Sequence, residues 1–472
     1  MQKIQKISDQ FIDEAAIHHL IEKSNSPGDE EIAIILDKAL EMKGLPPEDV
    51  ATLLNIEDPE HLGKLFATAL RVKQEIYGNR LVLFAPLYVS NYCANNCLYC
   101  GFRADNREIE RRALSIDEIK AETRAILEQG HKRILLLMGE NHQKSNLDYF
   151  IEAINAIYSV RDSKGNSIRR INIEIAPLDE NEFAKIREVP IGTYTVFQET
   201  YHRETYKYMH PSGKKADYNW RVTTMDRALA NGMHDVGIGA LFGLYDYRFE
   251  VLALMMHARH LDEKFGVGPH TISIPRIKPA RNAPAAEHIP HAVSDTDFKK
   301  LVAVIRLAVP YTGMILSTRE TAALRSELFD LGVSQISAGS KTNPGGYKQA
   351  FSNKGDDGGQ FNLNDCRSSG EVIADVIDRG FVPSFCTACY RLGRVGKDFM
   401  DQAKPGLIKL FCQPNGLTTL KEYLMDYADE ETRRAGEKLI ERELESIPNE
   451  KVKEKTREFL RRIELGERDL YI

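Results

Sequence analysis

The sequence predicts an α/β protein built on a (β/α)8 barrel, with a helical extension before it and a mainly helical extension after it. Three observations carry this. Between Leu81 and Ala338, short β-branched and apolar runs alternate with amphipathic stretches through eight strands, the pattern of parallel βαβ units in a barrel. No Gly-x-Gly-x-x-Gly follows the first strand, which weighs against the alternative, a doubly wound open sheet with its dinucleotide fingerprint. The most chemically distinctive residues fall just after predicted strands, where barrel enzymes carry their chemistry.

Residues 1–78 read as polar and helical. Apolar positions recur at helical spacing over 29–42 and 60–76, and Pro46-Pro47 and Gly78-Asn79 punctuate them. Residues 81–89 read as a buried strand that ends just before a run of cysteines. Ser115-x-x-Glu118 is a capping box opening a helix over 115–129, and 133–138 is the second strand. The later units repeat this alternation: helix 146–160 with strand 171–176, helix 179–187 with strand 193–197, helix 217–231 with strand 235–238, helix 247–265 with strand 271–274, helix 295–309 with strand 313–316, and helix 319–331 with strand 335–338. Beyond them lie Asn343-Pro344-Gly345-Gly346 and a polar glycine-rich stretch, Lys354-Gly355-Asp356-Asp357-Gly358-Gly359. Charged helices at 433–445 and 451–465 follow. The expected units are 1–78, a barrel at 79–342, and 343–472.

Composition bounds the function class. The 472 residues are 42% hydrophobic and 28% charged, the mix of an ordinary globular protein. Lys and Arg total 63 against 69 Asp and Glu, a net charge of -6, which gives no reason to invoke nucleic acid. No apolar run approaches the roughly 18 residues of a membrane span. The opening Met1-Gln2-Lys3-Ile4-Gln5-Lys6 lacks the apolar segment of a secretory signal. A cytoplasmic protein with no membrane or nucleic-acid partner is expected.

Six of the seven cysteines form two triplets, Cys93-x3-Cys97-x2-Cys100 and Cys386-x2-Cys389 with Cys412. Tight spacing and an odd total argue for metal-binding thiolates in a reducing compartment rather than disulfides. Thiolates are soft donors suited to iron–sulfur clusters. Such clusters normally take four cysteines. Three leave one iron open for a non-protein ligand, as a catalytic zinc keeps an open position. Two reactive [4Fe-4S] clusters are the expectation, with a three-cysteine zinc site as the alternative at each triplet. Cys366 stands outside both and reads as an ordinary buried or surface thiol.

The surrounding motifs carry a family resemblance. The first triplet, with Tyr99 before its last cysteine, resembles the radical S-adenosylmethionine (SAM) superfamily. Met138-Gly139-Glu140 resembles that superfamily's Gly-Gly-Glu segment, with Met138 where a glycine is usual. Four further runs are Phe197-Gln198-Glu199-Thr200-Tyr201-x-Arg203-Glu204-Thr205-Tyr206, His210-Pro211-Ser212-Gly213, Gly237-x-Gly239-x-Leu241-x-Gly243-Leu244 and Ser317-Thr318-Arg319-Glu320. Together they closely resemble the tyrosine-cleaving radical SAM enzymes over residues 80–345. The resemblance implies a radical SAM barrel in which Cys93, Cys97 and Cys100 hold a [4Fe-4S] cluster whose open iron takes SAM. It implies Glu140 for the SAM amino group, Glu199 for the ribose hydroxyls and Arg221 for the SAM carboxylate, with a solvated helix residue as the alternative for Arg221. Arg319, aided by Ser340, would hold the carboxylate of L-tyrosine, a task suited to a guanidinium fork. Scission would give p-cresol and dehydroglycine.

The second triplet selects a branch. The extension carrying Cys386-Thr387-Ala388-Cys389-Tyr390-Arg391 and Cys412 resembles that of the branch that matures [FeFe] hydrogenase, and the thiamine-synthesis branch lacks it. This implies a second [4Fe-4S] cluster with an additional fifth iron linked through free cysteine. There dehydroglycine would become CO and cyanide on iron, destined for the hydrogenase and its maturation partners. His270, in Gly268-Pro269-His270-Thr271-Ile272-Ser273, resembles a ligand of the extra iron, and imidazole suits iron. A structural histidine is the alternative. Two other readings stay open: a lyase that stops at dehydroglycine with a structural second metal site, and a non-catalytic iron–sulfur carrier. A carrier would have no need of Glu140, Arg319 or Gln198-Glu199-Thr200. An internal route between the two clusters is expected.

Overall fold

The computed structural model describes residues 10–24, 27–350 and 358–472. The opening residues 1–9 and residues 354–357 of the glycine-rich stretch lie outside the described residues. Eight parallel strands form the centre: β1 (Arg80–Ser90), β2 (Arg133–Met138), β3 (Arg170–Glu174), β4 (Ile191–Thr195), β5 (Val236–Gly239), β6 (Thr271–Ser273), β7 (Gly313–Leu316) and β8 (Gln335–Ser337). Each pairs with the next, and β1 pairs with both β8 and β2. That closes the ring and excludes the open sheet. Burial on both faces follows from closure under a layer of helices: β4, β5, β6 and β8 are buried throughout.

The capping box forms as the sequence predicts. Glu118 N–H donates to Ser115 Oγ at 3.3 Å, and Ser115 N–H donates to Glu118 Oε2 at 2.8 Å, starting helix Ile116–Glu128. Among the N-terminal helices, Pro59–Tyr77 lies on Asp295–Ala308 and Pro47–Leu54 lies on Tyr247–Phe265. Their apolar faces, including Val50, Leu53, Leu65 and Val72, are buried.

Three elements depart from the sequence reading. The helix expected at 217–231 is two, Tyr218–Val222 and Thr224–Ala230. At the break the Thr223 hydroxyl donates to Asn219 O at 2.6 Å, the side-chain competition that bends helices. The helix expected from 319 starts only at Ala322, capped by Thr321, so Arg319 stands on a turn. The helix expected to reach 42 ends at Ala39, and Met42 takes a left-handed φ of 59°.

The sequence reading also lacks β9 (Val382–Ser384), a three-residue Val-Pro-Ser segment. Its register is Arg80↔Val382 and Val82↔Ser384. It occupies the start of the β1 edge that β2 takes over from Ala85, a position where a strand proline is tolerated. The consequence is spatial. The first cysteine triplet follows the C-terminal end of β1, whereas β9 delivers Cys386 beside the N-terminal end of β1. The two triplets therefore lie at opposite mouths of one barrel.

Candidate active site

At the C-terminal mouth, one cavity is lined by Cys93, Cys97, Cys100, Glu140, Glu199 and Arg221. The fold thus brings together these six residues singled out in the sequence. The cysteine loop is braced from two sides. Ala94 N–H donates to Glu140 O at 2.8 Å, and Asn95 Nδ2 donates to Glu140 Oε2 at 2.5 Å. A Cβ on Gly139 would stand 2.3 Å from Tyr92 O, so the close approach of these loops requires glycine there. On the other side, Asn96 N–H donates to Ser212 O at 3.2 Å and Lys215 N–H to Asn95 Oδ1 at 2.9 Å. Tyr99 OH and His210 Nε2 lie 2.7 Å apart, and His210 Nδ1 lies 2.8 Å from Tyr206 O. A neutral ring that donates through Nδ1 and accepts through Nε2 satisfies both bonds, and burial pushes His210 well below its ordinary value. Burial also pushes the Cys97 thiol up to about 12 and the Cys100 thiol up to about 11, so metal binding would displace protons.

Glu199 has a left-handed φ of 74°, an uncommon geometry for a non-glycine residue and one often found at functional sites. Leu241 N–H donates to its carbonyl at 2.7 Å. Buried Glu250 accepts from the next two residues, from the Thr200 hydroxyl and from Tyr201 N–H. Lys215, which the sequence reading missed, places Nζ 2.6 Å from Glu199 Oε1, and Arg221 Nη2 is 3.6 Å from the same oxygen. Burial raises the Glu199 carboxyl, but these cations outweigh it and hold the group below its usual value. Arg221 is buried, with Nε donating to Phe197 O at 2.7 Å, so it is not a solvated helix residue.

Deeper in the barrel, a second cavity is lined by Arg319, Ser340, Ser317, Phe361 and Phe197, and it shares Tyr88, Leu137, Glu174 and Gln360 with the first. The Arg319 guanidinium lies 3.3 Å from the centre of the Phe361 ring. The Ser340 hydroxyl is buried without a hydrogen-bond partner among the described residues. Tyr88 OH donates to Gln360 Oε1 at 2.8 Å, and Gly101 N–H donates to Gln360 O at 2.9 Å. Gln360, Phe361 and Glu174 were invisible to motif reading. The sequence reading runs the third strand to 176, which leaves Glu174 in its interior, whereas β3 ends at Glu174.

At the N-terminal mouth, a third cavity is lined by Cys386, Cys389, Cys412 and His270, with Arg80, Arg133 and Tyr390. Cys389 lies in the short helix Ala388–Arg391, and Cys412 near the start of helix Lys409–Asp426. His270 Nδ1 is 3.3 Å from Asp235 Oδ1, and its Nε2 is 3.4 Å from Tyr390 OH. Burial pushes the Cys412 thiol up to about 12. Neighbouring inward residues divide between the lower and upper cavities: Val82 and Phe84 on β1, Arg133 and Leu135 on β2, Gln335 and Ser337 on β8. Cys366 is exposed and outside both cysteine cavities.

Among the described residues, no three His, Cys, Asp or Glu side chains converge closely enough to hold a single ion. The first cavity fits an amino-acid-bearing cofactor, because the carboxylates of Glu140 and Glu199 and the cations of Lys215 and Arg221 stand beside the thiols. No helix among the described residues is long and apolar enough to cross a membrane.

Comparison with known proteins agrees with this geometry. Residues 87–256 match the Radical SAM superfamily, and residues 273–382 match the Biotin and Thiamin Synthesis associated domain. The chain is 32% identical over 363 residues to 2-iminoacetate synthase of Escherichia coli (strain K12), covering 77% of this chain and 92% of that protein. The crystal structure of HydG, a maturase of the [FeFe]-hydrogenase, superimposes with a TM-score of 0.94 at 50% identity, covering 98% of this chain and 100% of that one. HydG from Carboxydothermus hydrogenoformans gives 0.83 at 42% identity, covering 97% and 100%. The chain belongs to the radical SAM enzymes, in the family that joins 2-iminoacetate synthase with the hydrogenase maturase HydG.

Proposed function

We propose that this protein is a radical SAM tyrosine lyase that cleaves L-tyrosine to p-cresol and dehydroglycine, and that its second cysteine site turns dehydroglycine into CO and cyanide on iron for [FeFe]-hydrogenase assembly. The observation that carries this reading is the placement of two three-thiol cavities at opposite mouths of one barrel, with an arginine-bearing cavity between them. Cys93, Cys97 and Cys100 hold a [4Fe-4S] cluster. When bound, this cluster and SAM supply a 5′-deoxyadenosyl radical. Glu140 receives the SAM ammonium, Glu199 the ribose hydroxyls and Arg221 the SAM carboxylate. Arg319 grips the tyrosine carboxylate with help from the unpaired Ser340 hydroxyl. Phe361, stacked on Arg319, and Phe197 keep water from the reacting carbon.

Cys386, Cys389 and Cys412 hold the second [4Fe-4S] cluster. His270 ligates a fifth iron, carried with free cysteine, and Asp235 orients the ring, as carboxylates do behind metal-bound histidines. The intermediate passes through the lumen rather than through bulk water, which the adjacency of the two cavities on β1, β2 and β8 supports. Residues 1–78 act as a buttress, 79–342 as the radical barrel, and 343–472 as the unit for the second cluster. The test is an anaerobic turnover of reconstituted protein with tyrosine, SAM and dithionite, assayed for p-cresol and cyanide together. Both products are expected. p-Cresol alone would reduce the protein to a lyase with a structural second site. Dilution of labelled product by exogenous glyoxylate, the hydrolysis product of dehydroglycine, would refute the internal route.

A further inference from the structure

A free amino acid enters a radical site as a zwitterion, and its two charges need different partners. Arg319 faces the cavity as the cationic partner. In the lyase reading the deoxyadenosyl radical abstracts a hydrogen from the tyrosine amino group, so the anionic partner of that nitrogen belongs where this cavity meets the SAM cavity. Four residues line both cavities: Tyr88, Leu137, Glu174 and Gln360. Glu174 is the one carboxylate among them. It ends β3, opposite Leu137 of β2 and Thr195 of β4, so the barrel itself fixes its position.

The other two acids of the SAM cavity are engaged, Glu140 with Asn95 and Glu199 with Lys215 and Arg221. The Glu174 carboxylate makes no hydrogen bond or ion pair among the described residues and borders open cavity. We propose that Glu174 binds the substrate ammonium and takes one proton from it before hydrogen abstraction. This inference rests on the tyrosine-lyase reading above. The step is balanced. One N–H bond of –NH3+ breaks, its electron pair stays on nitrogen, and an O–H bond forms on the carboxylate, giving –NH2 and –COOH with no change in net charge. Abstraction of a hydrogen atom from the neutral amine then avoids creating a radical on a cationic nitrogen.

The electrostatics suit this task. Burial first, and Glu199 second, push Glu174 up to about 7, against the opposing pull of Arg319, Lys215 and Arg221. Tyr88 from β1 and Glu140 from the end of β2 border the same space. Raising a carboxylate from about 4.3 to about 7 improves it as a proton acceptor by between two and three powers of ten.

The test uses reconstituted holoenzyme and the variants Glu174→Gln and Glu174→Asp. Wild-type p-cresol formation should rise as pH passes through about 7, where the carboxylate ionises. In Glu174→Gln it should fall at least 100-fold at pH 7, with the rising limb moved upward by a unit or more to the titration of the substrate amine itself. Glu174→Asp should recover part of the rate. Tyrosine should bind Glu174→Gln at least tenfold more weakly, whereas 3-(4-hydroxyphenyl)propanoate, which lacks the amino group, should bind both proteins alike. p-Cresol formation within threefold of wild type and an unmoved pH limb in Glu174→Gln would overturn the inference. Equal weakening of tyrosine and the deaminated analogue would overturn it too. Absence of p-cresol from the wild type would instead defeat the lyase reading.

Discussion

The two mouths of the barrel carry the same number of cysteines and are built in different ways. At the C-terminal mouth, all three thiols come from one loop, and its braces are short bonds to the segments after β2 and β4. At the N-terminal mouth, the thiols come from a loop, a short helix and a long helix, and His270 joins them from the foot of β6. The charge differs as well. Glu140, Glu199, Lys215 and Arg221 give the first site both signs. The second presents Arg80 and Arg133 to its thiols, and the charge these sulfurs carry when ionised raises Arg80 against the burial that opposes its charge. A mixed-sign wall suits zwitterions such as SAM and tyrosine. A cationic wall suits thiolates and other small anions. Similar donor sets can thus be given different chemistry by the groups behind them.

The difference between the two mouths is tested most directly by removing their thiols. Cys93→Ala, Cys97→Ala or Cys100→Ala should abolish p-cresol and cyanide together, by at least 1,000-fold. Cys386→Ala, Cys389→Ala or Cys412→Ala should keep p-cresol within about threefold and remove cyanide. Parallel chromatographic and cyanide assays decide it, and loss of p-cresol in the second set would end the proposed division of labour. Next in size, Arg319→Lys exchanges a planar fork stacked on Phe361 for a point charge and should raise KM for tyrosine about 100-fold. Steady-state kinetics at saturating SAM measure this.

A sharper contrast comes from Lys215→Met and Asp235→Asn, one at each mouth. Removing the Lys215 cation from Glu199 should weaken SAM binding roughly tenfold, as read by equilibrium binding. Removing the carboxylate behind His270 should lower iron retained at the second site 10- to 100-fold in affinity, as read by metal analysis under chelator, without moving KM for tyrosine. The smallest effect should come from Tyr99→Phe, which leaves the buried His210 Nε2 without its hydroxyl partner. A loss of about 1 kcal/mol corresponds to a thermal midpoint lower by roughly 2 °C in a protein this large.

Local chemistry made part of the molecule legible. Strand and helix alternate with periods that a short window can read, and Ser115 with Glu118 encodes a helix start within four residues. Reading failed where a distant group decided the outcome. Lys215 lies in no motif, and the fold places it on Glu199. The periodic stretch at 217–231 divides at Thr223, and no short-range signal in the sequence marks that break. The Val-Pro-Ser segment of β9 has weak strand character and exists through its pairing with β1.

The barrel, the first cysteine loop and the residues that follow each strand are legible from local sequence. Parallel strands carry whatever follows them to the same mouth, and cysteines three and four residues apart cannot separate. Folding decides that Glu174 lines both the Arg319 cavity and the first cysteine cavity, and that Cys412 and His270, expected beside Cys386 and Cys389 from family resemblance alone, share one cavity with them. Those meetings depend on barrel closure, on which strand face points inward, and on where β9 docks, and each is set by contacts between residues far apart in the chain.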